Sequence, residues 1–562
     1  MLNPVAAAKE AAKQAVINDY SSAAKKGLLP EAELPDFVVE IPAETSHGDF
    51  AINLALVGAK AFRLPPRKIA EALVAELSLE GTIFDRVEVA GPGFINLFLN
   101  NKFYADVVNA VLLEGDGYGK VDYGKGQKYN VEFVSANPTG PMHLGNARGG
   151  ALGDCLASVL EAAGYDVTRE FYVNDAGNQI EKFGLSLDAR YMSLYREGVE
   201  FPEDGYKGED ILTRAKEFAD IHGDSFVDKP AEERKKALVD YALPKNVEGL
   251  KNDLHRYRVD YDVWFFESLL HNEGAVKMVI DKLTKNGYTY ENEGALWYKA
   301  TAFGAEKDEV LVRANGIPTY FAADIAYHYN KFKVRGFERA INVWGADHHG
   351  HVARLKGAMD AIGLDGNKLD IVLMQLVRLV RDGEPVRMSK RTGKAITLTD
   401  LLEEIPIDAA RFFFNLREPK SHFDFDLDLA VSESSENPVY YVQYAHARIC
   451  SILKNLKAEG VDVDAAKSAD LSLLTQPDEI SLIKHISLLP GEITAAAREY
   501  DPARITRYTV DLATAFHRFY TSCRVKESDM SLCLARTALC IATRQALRNC
   551  LTLLKITIPE TM

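Results

Sequence analysis

The stretch Pro138-Thr-Gly-Pro-Met-His143-Leu-Gly-Asn146-Ala-Arg148-Gly-Gly150 joins two patterns of different period. Ahead of it, Tyr129-Asn-Val-Glu-Phe-Val134 is a β-branched and aromatic run that predicts a strand. Behind it, Leu152, Cys155, Leu156, Val159 and Leu160 follow the i, i+3, i+4, i+7, i+8 spacing of a helix. The turn therefore feeds a helix N-terminus, whose N–H groups and positive dipole suit a phosphate. His143 adds a donor, and Gly145 lets a ligand approach the backbone closely. Taken alone, the same residues serve equally well as a tight strand-to-helix connection.

Two other clusters carry chemistry. Asp347, His348, His349 and His351 follow a strand-like run and contain transition-metal donors. Neighbours on an extended chain point to opposite sides, so at most two converge locally, and no bound metal is expected. Met388-Ser-Lys-Arg-Thr-Gly393 places two cations on a loop, which by itself reads as a solvated basic segment.

The elements around these residues divide the chain. Residues 1–110 read as a small α/β module: an alanine-rich helix over 10–26, a strand over 37–41, a helix opened by Pro65-Pro, and two strands flanking Gly91-Pro-Gly93. A glycine-rich linker, 115–126, leads into a segment over 125–400. There the strand before His143, its helix, and a second strand over 166–173 form a βαβ unit, hence a parallel sheet. Charged helical sequence over about 180–290 reads as an insertion, and strand patterns resume at 295–298, 309–313, 319–321 and 339–344. A hairpin over 373–387 and a helix capped by Thr397 or Thr399 close the segment. Residues 401–436 connect to a wholly helical region, 437–562. The predicted class is multidomain α/β with a parallel-sheet domain, a helical insertion, a small N-terminal α/β domain and an all-α C-terminal domain.

The net charge of −15 argues mildly against a chain that binds nucleic acid over its whole surface. Residues 439–562, with 15 Lys and Arg against 13 Asp and Glu, are the exception, and Arg504, Arg507 and Arg518 share one helix face there. Arg536, Arg544 and Arg548 form a second set. The six cysteines show neither CxxC pairs nor zinc spacing and read as free thiols of a reducing cytosol. No run is long enough to span a bilayer, and no membrane partner is expected.

His143-Leu-Gly-Asn146 near the start of the parallel-sheet segment, with Met388-Ser-Lys-Arg391 near its end, resembles the paired HIGH and KMSK motifs of class I aminoacyl-tRNA synthetases. Further stretches are similar to the arginyl-tRNA synthetase family: Val131-Glu-Phe-Val-Ser-Ala-Asn-Pro-Thr-Gly-Pro-Met-His143, Asn174-Asp-Ala-Gly-Asn178 and Trp344-Gly-Ala-Asp-His-His-Gly-His351. Asn437 to Arg448 resembles the opening of that family's anticodon-binding domain, and Gly48-Asp-Phe-Ala51 with 89–96 its N-terminal tRNA-binding domain. One departure is Asn146, where the HIGH motif usually ends in histidine; asparagine donates a hydrogen bond but carries no charge.

The resemblance implies a Rossmann-type catalytic domain and ATP-dependent activation of arginine, followed by transfer to tRNA(Arg). It implies His143, Asn146 and Lys390 as catalytic residues. ATP would be held by these with Gly145, Gly345, Asp347, Met388, Ser389 and Arg391, and Mg2+ would arrive with the nucleotide. It implies Glu132, Ser135, Asn137, Glu267, Tyr320, Asp324 and His348 around arginine. For tRNA it implies Tyr440, Tyr444, Arg448, Arg504, Arg507, Arg544 and Arg548. A cytoplasmic monomer is expected. Another class I synthetase, or a tRNA-binding paralogue without catalysis, are the rival readings.

Overall fold

The computed structural model describes residues 3–386 and 396–562. Met388, Ser389, Lys390 and Arg391 lie outside the described residues.

The N-terminal module opens with helix Pro4–Lys25, longer than its sequence suggests because Asn3 caps it, accepting the Ala6 N–H at 3.0 Å. Strands β1 (Val39–Glu40), β2 (Phe50–Ile52), β3 (Phe84–Ala90) and β4 (Phe94–Leu99) form an antiparallel sheet in the order β1-β2-β4-β3. The strand expected over 37–41 shrinks to two paired residues.

The central sheet contains β5 (Lys128–Glu132), β6 (Asp166–Val173) and β7 (Val263–Phe266). After a small antiparallel sheet of β8 (Thr289–Asn292), β9 (Ala295–Tyr298) and β10 (Glu309–Val312) come β11 (Arg339–Gly345) and β12 (Leu369–Met374). The five central strands are all parallel, in the order β12-β11-β5-β6-β7. The chain runs from β5 to β6 on one side and later adds β11 on the other side of β5. The order therefore reverses between β5 and β11, and a parallel sheet binds its ligand at the carboxyl ends flanking that reversal.

Two sequence expectations need correcting here. The helical insertion ends earlier than about 290: helices Gly177–Met192, Glu209–His222 and Ala231–Arg256 pack around Phe183, Leu187, Ile211 and Leu238, and the chain then rejoins the sheet as β7. A four-residue apolar run at the edge of a parallel sheet shows no alternation of apolar and polar residues to reveal it. Residues 319–321 are not a strand but the start of helix Tyr320–Tyr329, which buries Phe321, Ala322, Ile325 and Ala326. Two aromatics after Thr319 suggested β structure, and the helical repeat that outweighs them lies beyond residue 321.

Helix Leu144–Ala162 lies across the sheet and is buried along nearly its whole length, which small residues permit. A Cβ built on Gly153 would stand 2.2 Å from Phe133 Cγ, in the chain just after β5. Gly153→Ala is expected to cost about 1–3 kcal/mol through overpacking, read as a Tm several degrees below wild type.

Strands β13 (Val377–Arg381), β14 (Glu384–Val386) and β15 (Phe423–Asp426) form a last sheet, with the β13–β14 hairpin beside β15. Thr397, not Thr399, caps the next helix through a capping box with Asp400. The C-terminal domain is a bundle of helices Pro438–Ala458, Pro477–Ser487, Leu489–Glu499, Ala503–Ser522 and Met530–Leu553. It is fastened to the catalytic domain through Asp154: Lys555 reaches Asp154 at 2.8 Å, and Arg411 of the connecting segment, fully buried, reaches Asp154 at 2.6 Å and donates to Leu554 O at 3.1 Å. No described helix is long and apolar enough to cross a membrane. All six cysteines are free, and every one except Cys450 is buried.

Candidate active site

The carboxyl ends of β5, β6 and β11 open into a chamber of about 700 Å³. Glu132, Ser135, Gly145, Asn146, Glu267, Tyr320, Asp324, Gly345, Asp347 and His348, far apart in sequence, all line it. Asn137 and His143 line an adjoining hollow of about 770 Å³ that shares Ser135 and Asn146 with the chamber and is closed on its far side by Tyr206 to Asp210 of the helical insertion.

His143 is the extended residue ahead of helix Leu144–Ala162, with φ −87° and ψ 163°, and its side chain is exposed and makes no cap bond. The turn is anchored by main-chain bonds to the segment after residue 395: Leu144 N–H donates to Ile396 O at 3.2 Å, and Leu398 N–H to Met142 O at 2.9 Å. These bonds tie the turn to the start of the helix that Thr397 caps. Gly145 has an ordinary φ, and a Cβ there would meet only Leu376 at 3.7 Å. Its openness therefore serves the ligand side, not the fold.

Between β5 and the turn, Val134 and Ser135 have φ of 67° and 42°, left-handed values unusual for side chains and most of all for valine. Ser135 N–H donates to Phe133 O at 3.0 Å, so Val134 sits at the apex of a γ-turn. Strain of this kind, about 1–3 kcal/mol per residue, persists where the surroundings over-determine it. Here the Ser135 hydroxyl donates to Glu132 at 3.0 Å and accepts the Tyr172 N–H at 3.1 Å.

That hydroxyl belongs to a continuous floor of hydrogen bonds. Lys331, fully buried in the π-turn Asn330–Val334, donates to Glu132 at 2.7 Å and to Asn342 Oδ1 at 3.1 Å. Asn342 Nδ2 donates to His328 Nε2 at 3.1 Å, which leaves the His328 Nδ1–H to donate to Asp324 O at 2.8 Å. Burial, aided by Lys331, holds the His328 imidazole neutral, its pKa lowered to about 3. The unfolded chain takes up this proton below pH 6.5 and the native state does not, so stability falls as pH drops from 6.5 toward 3. Between pH 7 and pH 5 the loss is about 2 kcal/mol. In His328→Gln the gap between the Tm values at pH 7 and pH 5 should narrow.

The carboxylates differ in compensation. Glu132 has Lys331. Glu267, 3% exposed, accepts from Tyr172 OH at 2.9 Å and lies 3.3 Å from His271 Nε2. Burial pushes its carboxyl pKa up, against the bonds from Tyr172 and His271. Asp324, about one-third exposed, faces His351 Nε2 at 2.9 Å. Among the described residues neither Glu267 nor Asp324 pairs with a lysine or arginine. The Tyr320 hydroxyl accepts the Gln179 N–H at 3.1 Å and fixes the ring between insertion and chamber. Two under-compensated carboxylates beside aromatic rings suit a flat, multi-donor cation such as a guanidinium, while the helix N-terminus across the chamber suits a phosphate.

The histidine cluster is helical, not extended: Ala346–His348 forms a 3-10 turn and His349 opens helix His349–Ala361. His348 and His351 therefore fall on one side, both within about 6 Å of Trp344 between ring centroids. The sequence pattern did not single out Tyr172, His271, His328, Lys331 or Asn342. Alternation in β6 places Tyr172 on the same face as buried Glu170, the one signal available for it.

On the C-terminal domain, Tyr440 and Tyr444 stack in parallel at 6.3 Å, and His517 continues the stack at 6.1 Å from Tyr444. The Arg448 guanidinium lies 4.8 Å from the Tyr444 ring and 5.1 Å from that of Tyr520. Other arginines are engaged: Arg504 with Glu492 and Glu499, Arg507 with Asp501, Arg548 with Asp116. Arg544 lines a hollow with Lys454, Lys457 and Lys467.

Three family models tile the chain: the arginyl tRNA synthetase N terminal domain over 8–99, the class I (R) tRNA synthetase catalytic domain over 107–421, and the DALR anticodon binding domain over 442–562. The chain belongs to the arginyl-tRNA synthetase family. The arginine–tRNA ligase of Caldanaerobacter subterraneus subsp. tengcongensis is 57% identical over 562 residues, covering both chains completely. That of Acetivibrio thermocellus is 56% identical over 564 residues, again covering both completely. The Thermus thermophilus arginyl-tRNA synthetase structure matches in fold, with a TM-score of 0.74 over 99% of this chain and 100% of that one, at 23% identity. Within the arginyl-tRNA synthetase architecture, the chamber falls in the catalytic domain and the Tyr440–Tyr444–Arg448 stack in or beside the DALR domain.

Proposed function

We propose that the protein activates arginine with ATP and transfers the arginyl group to tRNA(Arg). The observation that carries this reading is the pairing of under-compensated Glu267 and Asp324 with a helix N-terminus across one chamber. The guanidinium enters between Glu267, Asp324, Tyr320 and His348. Glu132, Ser135 and Asn137 take the α-amino and carboxylate ends.

ATP lies along Gly145, Gly345 and Asp347, its phosphates against His143 and Asn146, and Met388, Ser389, Lys390 and Arg391 complete its ligands. The carboxylate oxygen attacks the α-phosphorus in line, the bond to the β-phosphate oxygen breaks and pyrophosphate leaves with arginyl-adenylate formed, so no protein nucleophile is needed. Positioning and donors aimed at the phosphates supply the rate. Mg2+ enters as part of the nucleotide substrate, held by phosphate oxygens and water. Asn146 donates where histidine is usual, which leaves the positive charge at the phosphates to Lys390, Arg391 and the helix dipole.

In the second step a ribose hydroxyl of the terminal adenosine of tRNA(Arg) attacks the adenylate's carbonyl carbon, the ester forms, and AMP leaves with the acyl–phosphate bond broken. Unpaired anticodon bases stack on Tyr440 and Tyr444, and Arg448, Arg504, Arg507, Arg544 and Arg548 contact phosphates, some exchanging a carboxylate partner to do so. The enzyme works as a cytoplasmic monomer.

The test is charging of tRNA(Arg) by the purified protein with arginine, lysine and canavanine. Arginine is expected to be preferred by orders of magnitude over lysine. Equal charging of lysine would overturn the guanidinium assignment, and binding of tRNA without charging would indicate the non-catalytic paralogue.

A further inference from the structure

Arg148 is, with Arg411, one of the two largest fully buried side chains among the described residues, 1% exposed, on the helix that starts just after His143 and carries Asn146. Among the described residues no carboxylate pairs with it. Its Nη1 donates to Gln375 O at 2.7 Å and to Ser421 O at 3.2 Å, and its Nη2 donates to Glu418 O at 3.0 Å. The Phe423 ring lies 5.0 Å from its Cζ, and Nε has no partner among the described residues. Desolvation lowers its pKa only to about 10, so it remains a buried cation held by three main-chain carbonyl groups.

The three carbonyl groups belong to two segments with one geometric role. Gln375 follows β12 directly and precedes β13, and its own N–H donates to Pro419 O at 3.0 Å. Residues 418–421 lead into β15, which pairs in parallel with β13. Arg148 therefore ties the helix to the passage from the central sheet into the β13–β14 hairpin. Gly145, Arg148 and Gly149 recur at i, i+3 and i+4 and share one helix face. A Cβ on Gly145 would meet Leu376 at 3.7 Å, and one on Gly149 would meet Met374 at 3.6 Å. Met374 and Leu376 line the chamber opposite these glycines. The guanidinium fork sits where it controls how far this passage stands from the helix N-terminus.

We propose that Arg148 is a positioning residue that sets the gap between the start of this helix and the β12–β13 passage, the gap in which ATP sits. The inference rests on the nucleotide reading of that gap. Arginine is spared, because Glu267 and Asp324 lie beyond β6 and on the helix after β10, away from the clamp. A lysine keeps the charge, but its single ammonium cannot reach carbonyl groups on both segments as a planar fork does.

The experiment is tRNA-dependent ATP–pyrophosphate exchange with full-length wild type, Arg148→Lys and Arg148→Ala, alongside thermal unfolding. In Arg148→Lys the KM for ATP is expected to rise about five- to tenfold while the KM for arginine stays within twofold of wild type. A parallel rise in both constants, or no change in either, would overturn the proposal. If Arg148→Ala fails to fold, Arg148→Lys decides. If that variant also fails to fold, Arg148 is a packing residue and the proposal falls. Arginine-dependent exchange by wild type tests the nucleotide reading separately from this inference.

Discussion

Glu267→Gln is expected to raise the KM for arginine by about 100-fold or more while leaving that for ATP nearly unchanged. The side chain is almost entirely buried, and its carboxyl has two neutral or weakly basic neighbours, Tyr172 and His271. Charge-assisted hydrogen bonds are worth about 1.5–3 kcal/mol each relative to water, and a guanidinium facing a carboxylate forms up to two in parallel. Exchanging the carboxylate for an amide removes the charge, keeps the volume, and turns one acceptor into a donor that opposes the ligand. A loss of about 3 kcal/mol is a little over two decades in affinity. Tm is expected to stay level or rise, because burial already pushes the carboxyl pKa upward. Equal increases in the two KM values, measured by exchange with tRNA present, would remove Glu267 from the guanidinium pocket.

The second large effect is on rate. His143→Ala should lower kcat for adenylate formation by about 10²–10³-fold, the usual cost of one donor aimed at charge that develops in the transition state. Ground-state binding of arginine should be nearly unaffected, since Glu267 and Asp324 lie across the chamber. The fold should also tolerate the change, because the His143 side chain is exposed and makes no cap bond. The turn is held instead by main-chain bonds to Ile396 and Leu398, which alanine retains. A kcat reduced less than threefold in single-turnover assays would show that His143 does not touch the reacting phosphates.

The parts of the fold legible in the sequence are those whose pattern is local. Asp166–Val173 is a strand over the same residues its composition marks, as is Phe94–Leu99, and Thr397 caps its helix with Asp400 at the spacing a capping box requires. What the sequence hides is decided by partners far along the chain. Val263–Phe266 is a strand only because β6 offers it an edge, and four apolar residues do not announce that. Glu132 is compensated by Lys331, 199 residues later, and no spacing rule connects them. Arg504 reads as a cation awaiting a polyanion, yet Glu492 from the preceding helix already holds it. In the site itself, Asp324 and Glu267 were reached through the family resemblance, and the structure sets both on one chamber. The tyrosine, histidines and lysine that tune them are common core residues and became visible only in three dimensions.

The central claim is that the chamber recognises a guanidinium through Glu267 and Asp324 and presents its carboxylate to ATP. Its most direct test is ATP–pyrophosphate exchange, with tRNA(Arg) present, comparing arginine with citrulline, which keeps the shape and lacks the charge. Arginine should support robust exchange, and citrulline should fall at least about 10³-fold below it, the scale expected when buried polar groups are left unpaired. Comparable exchange with citrulline would contradict the assignment of the chamber.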